Sequence, residues 1–287
     1  MSGRFQILSP VDSSIYAILP HADDAAVDAA VARAHAAQRD WCRTDLGTRA
    51  ERCRRFVHAM EGKREEIAAE LAWRMGRPVR FGPAEVTRLG DRATHMVAIA
   101  EQSLAPIEIA AGDGVVRRIR RDPLGVILVI APWNYPYLTA VNAIVPALMA
   151  GNAVILKRAS QASPCGDRFA AAFAEAGLPD GLFQSVRMSH APIDRIISQK
   201  KVEFVAFTGS VGVGSEMERS AAGRFIGVAL ELGGKDPAYV RPNAPLEATA
   251  EAPVDGAFFN SGQSCCAVER NYVQRWSTPA SSTSSST

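Results

Sequence analysis

The stretch LGVILVIAPWNYPYLTAVNAIVPALMAGNAVILK, which runs from Leu124 to Lys157, is the most informative part of this 287-residue chain for its fold class. It carries no charge before Lys157, but prolines, glycines and asparagines divide it, so no apolar helix of about 20 residues fits for a membrane span. Gly125–Ala131 and Ala153–Leu156 are predicted as buried strands, with Leu138–Met149 as a buried helix between them. A strand, a helix and a strand in succession predict a parallel β-sheet.

Strands and helices continue to alternate after this stretch. Helices are predicted over Cys165–Glu175, Ile193–Ser198 and Gly212–Ala222, and strands over Leu182–Val186 and Glu203–Phe207. This alternation predicts an α/β fold, a parallel sheet with helices on both faces. Such sheets bind ligands at the carboxyl ends of their strands.

The part of the chain before Leu124 is predicted to be mainly helical. One helix begins at Asp23 or Asp24, and further helical stretches cover about Arg49–Arg74 and Pro83–Leu104. A β-hairpin follows these helices.

The predicted hairpin strands are Ile107–Ala111 and Val115–Ile119, which flank the turn Gly112-Asp113-Gly114. A hairpin between helices and a sheet core predicts a protruding arm. The arginines around its second strand could form an anion-binding patch, but an exposed, charged strand face is the favoured interpretation.

Composition excludes several classes of function. The net charge of +2 and the sparse aromatic residues indicate neither a nucleic-acid partner nor an anionic membrane. The five cysteines show no spacing typical of a disulfide framework or a zinc site, so no metal is predicted. The first residues lack the apolar core of a signal peptide, and the predicted location is the cytoplasm.

The segment SGQSCCAVER, Ser261–Arg270, contains the adjacent Cys265 and Cys266. A disulfide between neighbours demands strained geometry, and the spacing of a redox C-x-x-C motif is missing. Two structural thiols remain one interpretation, because free cysteine is often buried. A nucleophile on a turn, with its neighbour facing the core, agrees best with the polar Asn260 and Gln263 nearby.

Glycines follow the predicted strand in VEFVAFTGSVGVG, Val202–Gly214. Gly209, Gly212 and Gly214 would let the backbone and a helix N-terminus approach a phosphate. Their spacing is not G-x-G-x-x-G, so an ordinary strand–helix turn remains an alternative.

Two polar residues stand in otherwise apolar or rigid surroundings. Glu231 follows an apolar strand, where partial desolvation would raise its pKa toward that of a general base, unless it pairs locally with Lys235. Asn134 lies between two prolines in APWNYP and could donate a hydrogen bond to an oxyanion, although asparagine is also common in turns.

These motifs together resemble the NAD(P)-dependent aldehyde dehydrogenase superfamily. PWNYP, GNAVILKRAS, FTGSVGVG, LELGGKDP and FFNSGQSCC occur in the order that this family shows, and the similarity extends over roughly Phe5–Val273. Five ordered motifs are far more specific than any one of them. The resemblance implies an aldehyde-dehydrogenase-like fold, an aldehyde substrate and a homo-oligomer.

The resemblance also implies a role for each matching residue. Cys265 would attack the aldehyde to form a thiohemiacetal, and Asn134 with the Cys265 backbone N–H would hold the oxyanion. Hydride transfer to the nicotinamide would leave a thioester, and Glu231 would activate the water that hydrolyses it.

The cofactor implied by the resemblance is NAD or NADP. Lys157 would contact the adenosine ribose. Relatives that prefer NAD often carry a glutamate where this chain has Ser160, so NADP is predicted to be tolerated or preferred, with Arg158 adding positive charge. RMSHAPID replaces a glycine-containing loop of the family. The implied cofactor-binding residues are Trp133, Lys157, Ser160, Gly209, Ser210 and Gly214.

Family members continue beyond the end of this chain, through a Glu-x-Phe-Gly-Pro segment that binds the nicotinamide ribose. Likeness fades after Val273, and Ser277–Thr287 is almost entirely serine and threonine. The sequence therefore predicts a truncated member. Two hypotheses follow: an aldehyde dehydrogenase, or a catalytically inactive dinucleotide-binding remnant.

The predicted domain organisation has four parts. They are a dinucleotide-binding domain (1–103 and 123–236), a β-hairpin oligomerisation arm (104–122), the start of a catalytic α/β domain (237–273) and a disordered tail (274–287).

Overall fold

The computed structural model describes residues 3–110, 112 and 114–275. It begins with an antiparallel hairpin of β1 (Arg4–Leu8) and β2 (Ile15–Pro20), which the sequence analysis did not predict. Ile7 is the one buried residue in either strand, so the apolar alternation that marks a half-buried strand is weak here.

Four helices follow: α1 (Asp24–Trp41), α2 (Leu46–Glu61), α3 (Arg64–Met75) and α4 (Gly82–Leu104). Asp23 caps α1, because its side chain accepts a hydrogen bond from the backbone N–H of Ala26 at 2.8 Å. The stretch predicted as one helical region over Arg49–Arg74 is two helices. The break falls at Gly62 and Lys63, where glycine lowers the helix propensity.

The hairpin predicted after α4 is present but shorter than predicted. Its strands are β3 (Ile107–Ile109) and β4 (Arg117–Ile119), which pair antiparallel with every residue exposed. Ala111 and Asp113, which belong to the predicted strand and turn, lie outside the described residues.

The centre of the fold is a five-stranded sheet in the order β7-β6-β5-β8-β9, and every pair in it is parallel. This confirms the predicted α/β class. The elements are β5 (Val126–Ala131), α5 (Leu138–Met149), β6 (Ala153–Arg158), α6 (Ser163–Glu175), β7 (Phe183–Ser185), α7 (His190–Ser198), β8 (Phe204–Gly209), α8 (Val211–Ala221) and β9 (Gly227–Leu232).

Strand β5 is buried on both faces, because all six of its residues are buried and successive side chains point to opposite sides. The chain runs outward from β5 through β6 to β7, then returns to place β8 and β9 on the other side of β5. This reversal opens a crevice outside the carboxyl ends of β5 and β8, the usual ligand site of such sheets.

A smaller unit completes the described chain. Strands β10 (Asp236–Val240) and β11 (Val268–Val273) pair in parallel, and α9 (Leu246–Gly262) connects them. Helical geometry is lost near the end of α9, where Asn260 and Ser261 take left-handed φ angles of 54° and 58°. Within the described ranges, every helix is too short or too polar to cross a bilayer.

Candidate functional site

A cavity of about 1170 Å³ includes the carboxyl ends of β5, β6, β8 and β9 and extends along the sheet toward Leu124 and Phe204. Its volume lies slightly above the range of roughly 300–1,000 Å³ that is usual for small-molecule and cofactor sites. Eight of the nine residues predicted for the site line it: Trp133, Asn134, Lys157, Ser160, Gly209, Ser210, Glu231 and Cys265. Gly214 is the ninth, and it does not belong to the cavity wall.

The end of β6 places Lys157 and Ser160 in the cavity but turns Arg158 away from it. Lys157 lines the cavity half-buried, and this burial lowers its pKa. Arg158 is buried and donates to the carbonyl of Pro132 at 3.0 Å. Arg158 does not line the cavity itself, because neighbouring side chains of a strand face opposite sides, and its contribution of charge near the cofactor stays a prediction.

The glycine-rich turn after β8 joins the strand to α8. Ser210 caps this helix, with its hydroxyl accepting from the N–H of Val213 at 3.4 Å. A Cβ at Gly214 would lie 2.8 Å from the Leu232 side chain, so here glycine permits close packing of α8 against β9. Gly209 remains at the cavity, beside the Phe207 ring.

Asn134 is buried at the end of β5, and its amide group is oriented by several contacts. The Nδ2 group donates to the carbonyl of Gln263 at 2.6 Å, and Oδ1 accepts from the N–H of Tyr135 at 3.1 Å. Because Nδ2 carries two hydrogens, one donor remains for a ligand.

Glu231 lies on β9, the edge strand of the sheet, where it is exposed and lines the cavity. The prediction of a partly desolvated carboxylate is wrong, since an edge strand leaves one side open to water. Lys235, the suggested local partner, contacts Glu269 instead. Glu231 is therefore accessible to water and to a ligand in the cavity.

Cys265 is exposed in the turn before β11, and its carbonyl accepts from the N–H of Gly234 at 3.0 Å. This bond ties the cysteine turn to the segment that follows Glu231. Cys266 is exposed as well, so the prediction that it faces the core is wrong. The buried residue of this turn is Ala267. Partial burial raises the pKa of the Cys265 thiol, and the adjacent Cys266 thiol raises it further.

Replacing Cys266 by alanine is expected to increase the reactivity of Cys265. Removal of the second thiol lowers the pKa of the first, so more Cys265 is thiolate at pH 7. The rate of iodoacetamide labelling, followed at the Cys265 peptide from about pH 6 to 10, should reach its midpoint at lower pH than in the parent. An unchanged midpoint would show that Cys266 has no influence on this thiol.

A buried network that the sequence analysis missed holds the site together. Arg77 and Glu85 form an ion pair with each side chain about 97% or more buried, and Arg77 also contacts Asn134 and Asn260. Gln263 donates to the carbonyl of Met75 at 2.8 Å. The local sequence does not single out Arg77 and Glu85, because the same stretch also carries Arg74, Arg80 and Arg88.

His190 is a further cavity residue that was not predicted. It begins α7, within the RMSHAPID segment, and lines the same cavity as Lys157 and Ser160. Its Nδ1 lies 3.8 Å from a carboxylate oxygen of Glu216 on α8.

A profile of the aldehyde dehydrogenase family matches residues 1–281 of this chain. The succinate-semialdehyde dehydrogenase [NADP(+)] 1 of Mycobacterium bovis is 34% identical over 268 residues, which are 93% of this chain and 59% of that protein. An aldehyde dehydrogenase of Paenarthrobacter nicotinovorans is 33% identical over 250 residues. It is matched over 86% of this chain and 55% of its own length.

The fold is similar to solved structures. An NADP-dependent glyceraldehyde-3-phosphate dehydrogenase from Bacillus halodurans, complexed with NADP, superposes with a TM-score of 0.92 and 31% identity. The match covers 99% of this chain and 60% of the other. This chain therefore spans somewhat more than half the length of the relatives it matches.

Proposed function

The chain belongs to the aldehyde dehydrogenase family, and from this we propose that it oxidises an aldehyde to a carboxylic acid with NAD(P)+. The observation that carries the proposal is a single cavity lined by Cys265, Asn134 and Glu231. These are a nucleophile, an oxyanion donor and a water-activating carboxylate. The same cavity reaches the turn between β8 and α8.

In the proposed reaction, the Cys265 thiolate attacks the aldehyde carbonyl and forms a carbon–sulfur bond. The carbonyl electron pair moves to oxygen, and the remaining Asn134 donor with the Cys265 N–H stabilises that oxyanion. When NAD(P)+ is bound, its nicotinamide would supply the acceptor for the hydride that leaves the thiohemiacetal carbon. The product on the protein is a thioester of Cys265.

Glu231 then acts on water. Its exposed carboxylate accepts a proton as water attacks the thioester carbonyl, and the carbon–sulfur bond breaks to release the acid and regenerate the thiol.

The residues present fit a dinucleotide. The N-terminus of α8 opens at Ser210 beside the cavity, and helix N-termini bind phosphate through free N–H groups. Lys157 supplies positive charge and Trp133 an exposed ring in the same cavity. The relatives named for NADP support this class of cofactor.

Ser160→Glu is expected to weaken NADP binding relative to NAD. Ser160 is exposed at the cavity, where a carboxylate would repel the 2′-phosphate and reduce the ratio of affinities by about tenfold. Calorimetric titration with both cofactors gives the ratio, and Ser160→Gln is the uncharged control of matching size. An unchanged ratio in Ser160→Glu would place the 2′-phosphate elsewhere.

A second candidate function is dinucleotide binding without turnover. It is favoured by the small unit around Cys265, where large apolar side chains are open to solvent: Tyr239 is 65% exposed, Phe258 72% and Tyr272 51%. Formation of NAD(P)H from aldehydes, measured on the parent and on Cys265→Ala, separates the two. Saturable cofactor binding without any turnover would favour the second candidate.

A further inference from the structure

Arg77 occupies the junction between the loop that carries Asn134 and the turn that carries Cys265. It follows α3 and is 97% buried, and its guanidinium donates three hydrogen bonds in three directions. Nη1 donates to Glu85 at 2.5 Å, Nε to the side chain of Asn260 at 2.6 Å, and Nη2 to the backbone carbonyl of Asn134 at 2.9 Å.

Glu85 extends these contacts to the far end of the Asn134 loop. Its second oxygen accepts from the N–H groups of Tyr137 and Leu138, at 2.9 and 3.1 Å, where α5 begins. The ion pair therefore holds the loop between β5 and α5 at two points, one at Asn134 and one at the start of the helix.

Asn260 links Arg77 to the cysteine turn. Its side-chain amide donates to the Asn134 carbonyl at 3.2 Å, and its left-handed backbone turns the chain toward Cys265. The next residues of the turn bind the chain just before Arg77. Ser261 donates to the carbonyl of Gly76 at 3.2 Å, and Gln263 to that of Met75.

We propose that Arg77 is a positioning residue that fixes the Asn134 amide relative to Cys265, with Glu85 as its counter-ion. The inference rests on the proposed function, and it assigns to Arg77 no contact with the substrate. Arg77 acts through Asn134 and Asn260, whose mutual contact sets the distance between the two loops. A displacement of about 1 Å between reacting groups can lower a rate by about a hundredfold.

The test compares two reactions of Cys265 that differ in their need for an oxyanion donor. An activated ester, p-nitrophenyl acetate, acylates the thiolate through an anionic tetrahedral intermediate and releases p-nitrophenolate. Iodoacetamide alkylates the same thiolate by displacing iodide, with no oxyanion. The ratio of acylation to alkylation therefore reports the oxyanion donors and cancels changes in thiol exposure. A Cys266→Ala background leaves one cysteine in the analysed peptide.

Arg77→Lys keeps the positive charge but cannot donate the three hydrogen bonds of the guanidinium. Asn260→Gly permits the left-handed turn but removes the side chain that contacts Arg77 and the Asn134 carbonyl. We expect each to reduce the ratio by about tenfold or more, and we expect the same of Asn134→Ala. Arg74→Lys is the matched control. Arg74 is also buried near the end of α3, but it donates to Cys165, and its replacement should leave the ratio within about twofold.

The outcomes separate the two proposals. The role of Arg77 alone would be overturned by one pattern of results. In that pattern, Asn134→Ala lowers the ratio of acylation to alkylation, but Asn260→Gly and folded Arg77→Lys keep it within about twofold of the parent. If Arg77→Lys does not fold, the ratio measured for Asn260→Gly tests the role of Arg77. A parent that is alkylated but never acylated, or an Asn134→Ala variant with an unchanged ratio, would overturn the oxyanion site itself.

Discussion

Cys265→Ala is expected to abolish aldehyde-dependent formation of NAD(P)H, with a loss of about 10⁴-fold or more. The reason is that, among the residues that the structure describes, Cys265 is the only thiol in the cavity wall: the adjacent Cys266 does not line it. Spectrophotometry at the absorbance of the reduced nicotinamide measures the rate directly.

Cys266→Ala is the matched control, because both cysteines are exposed and adjacent. It should retain turnover and cofactor binding. Turnover that survives in Cys265→Ala would reject the covalent mechanism, whichever aldehyde is used.

Glu231→Gln is expected to separate the two halves of the reaction. Loss of the carboxylate removes the base for hydrolysis and slows steady-state turnover by about 10²- to 10⁴-fold. Formation of the thioester depends on Cys265 and Asn134, so a first turnover of NAD(P)H should remain. Rapid mixing should therefore show a burst followed by a slow phase.

Glu269→Gln provides the control for this variant, since Glu269 is also an exposed glutamate of the same region but pairs with Lys235. It should behave as the parent does. A Glu231→Gln variant with the parent's steady-state rate would remove Glu231 from the mechanism.

The parts of the fold that the sequence predicted are those with strong local patterns. Helix α5 has the predicted bounds, and β5 and β6 lie where an uncharged, proline-interrupted stretch placed them. The hairpin of β1 and β2 escaped prediction because its side chains are mostly exposed, which leaves little apolar alternation.

Some residues of the candidate site could likewise be predicted from sequence patterns, and others could not. Residues at the ends of strands, such as Lys157 and Glu231, come together because parallel strands end at one edge of the sheet. The orientation of Arg158 follows from strand periodicity and could have been predicted. The contact between Arg77 and Asn260 could not have been predicted from one sequence, because the two residues are 183 positions apart.

Covalent catalysis by Cys265 can be tested by detecting the acyl group on this residue. Glu231→Gln protein incubated with an aldehyde and NADP+, quenched in acid and digested, should show the mass of the acyl group on the peptide that contains Cys265. The adduct should require both the aldehyde and NADP+ and should be absent from the double variant with Cys265→Ala. NADPH formation without any acylated Cys265 peptide would contradict the account.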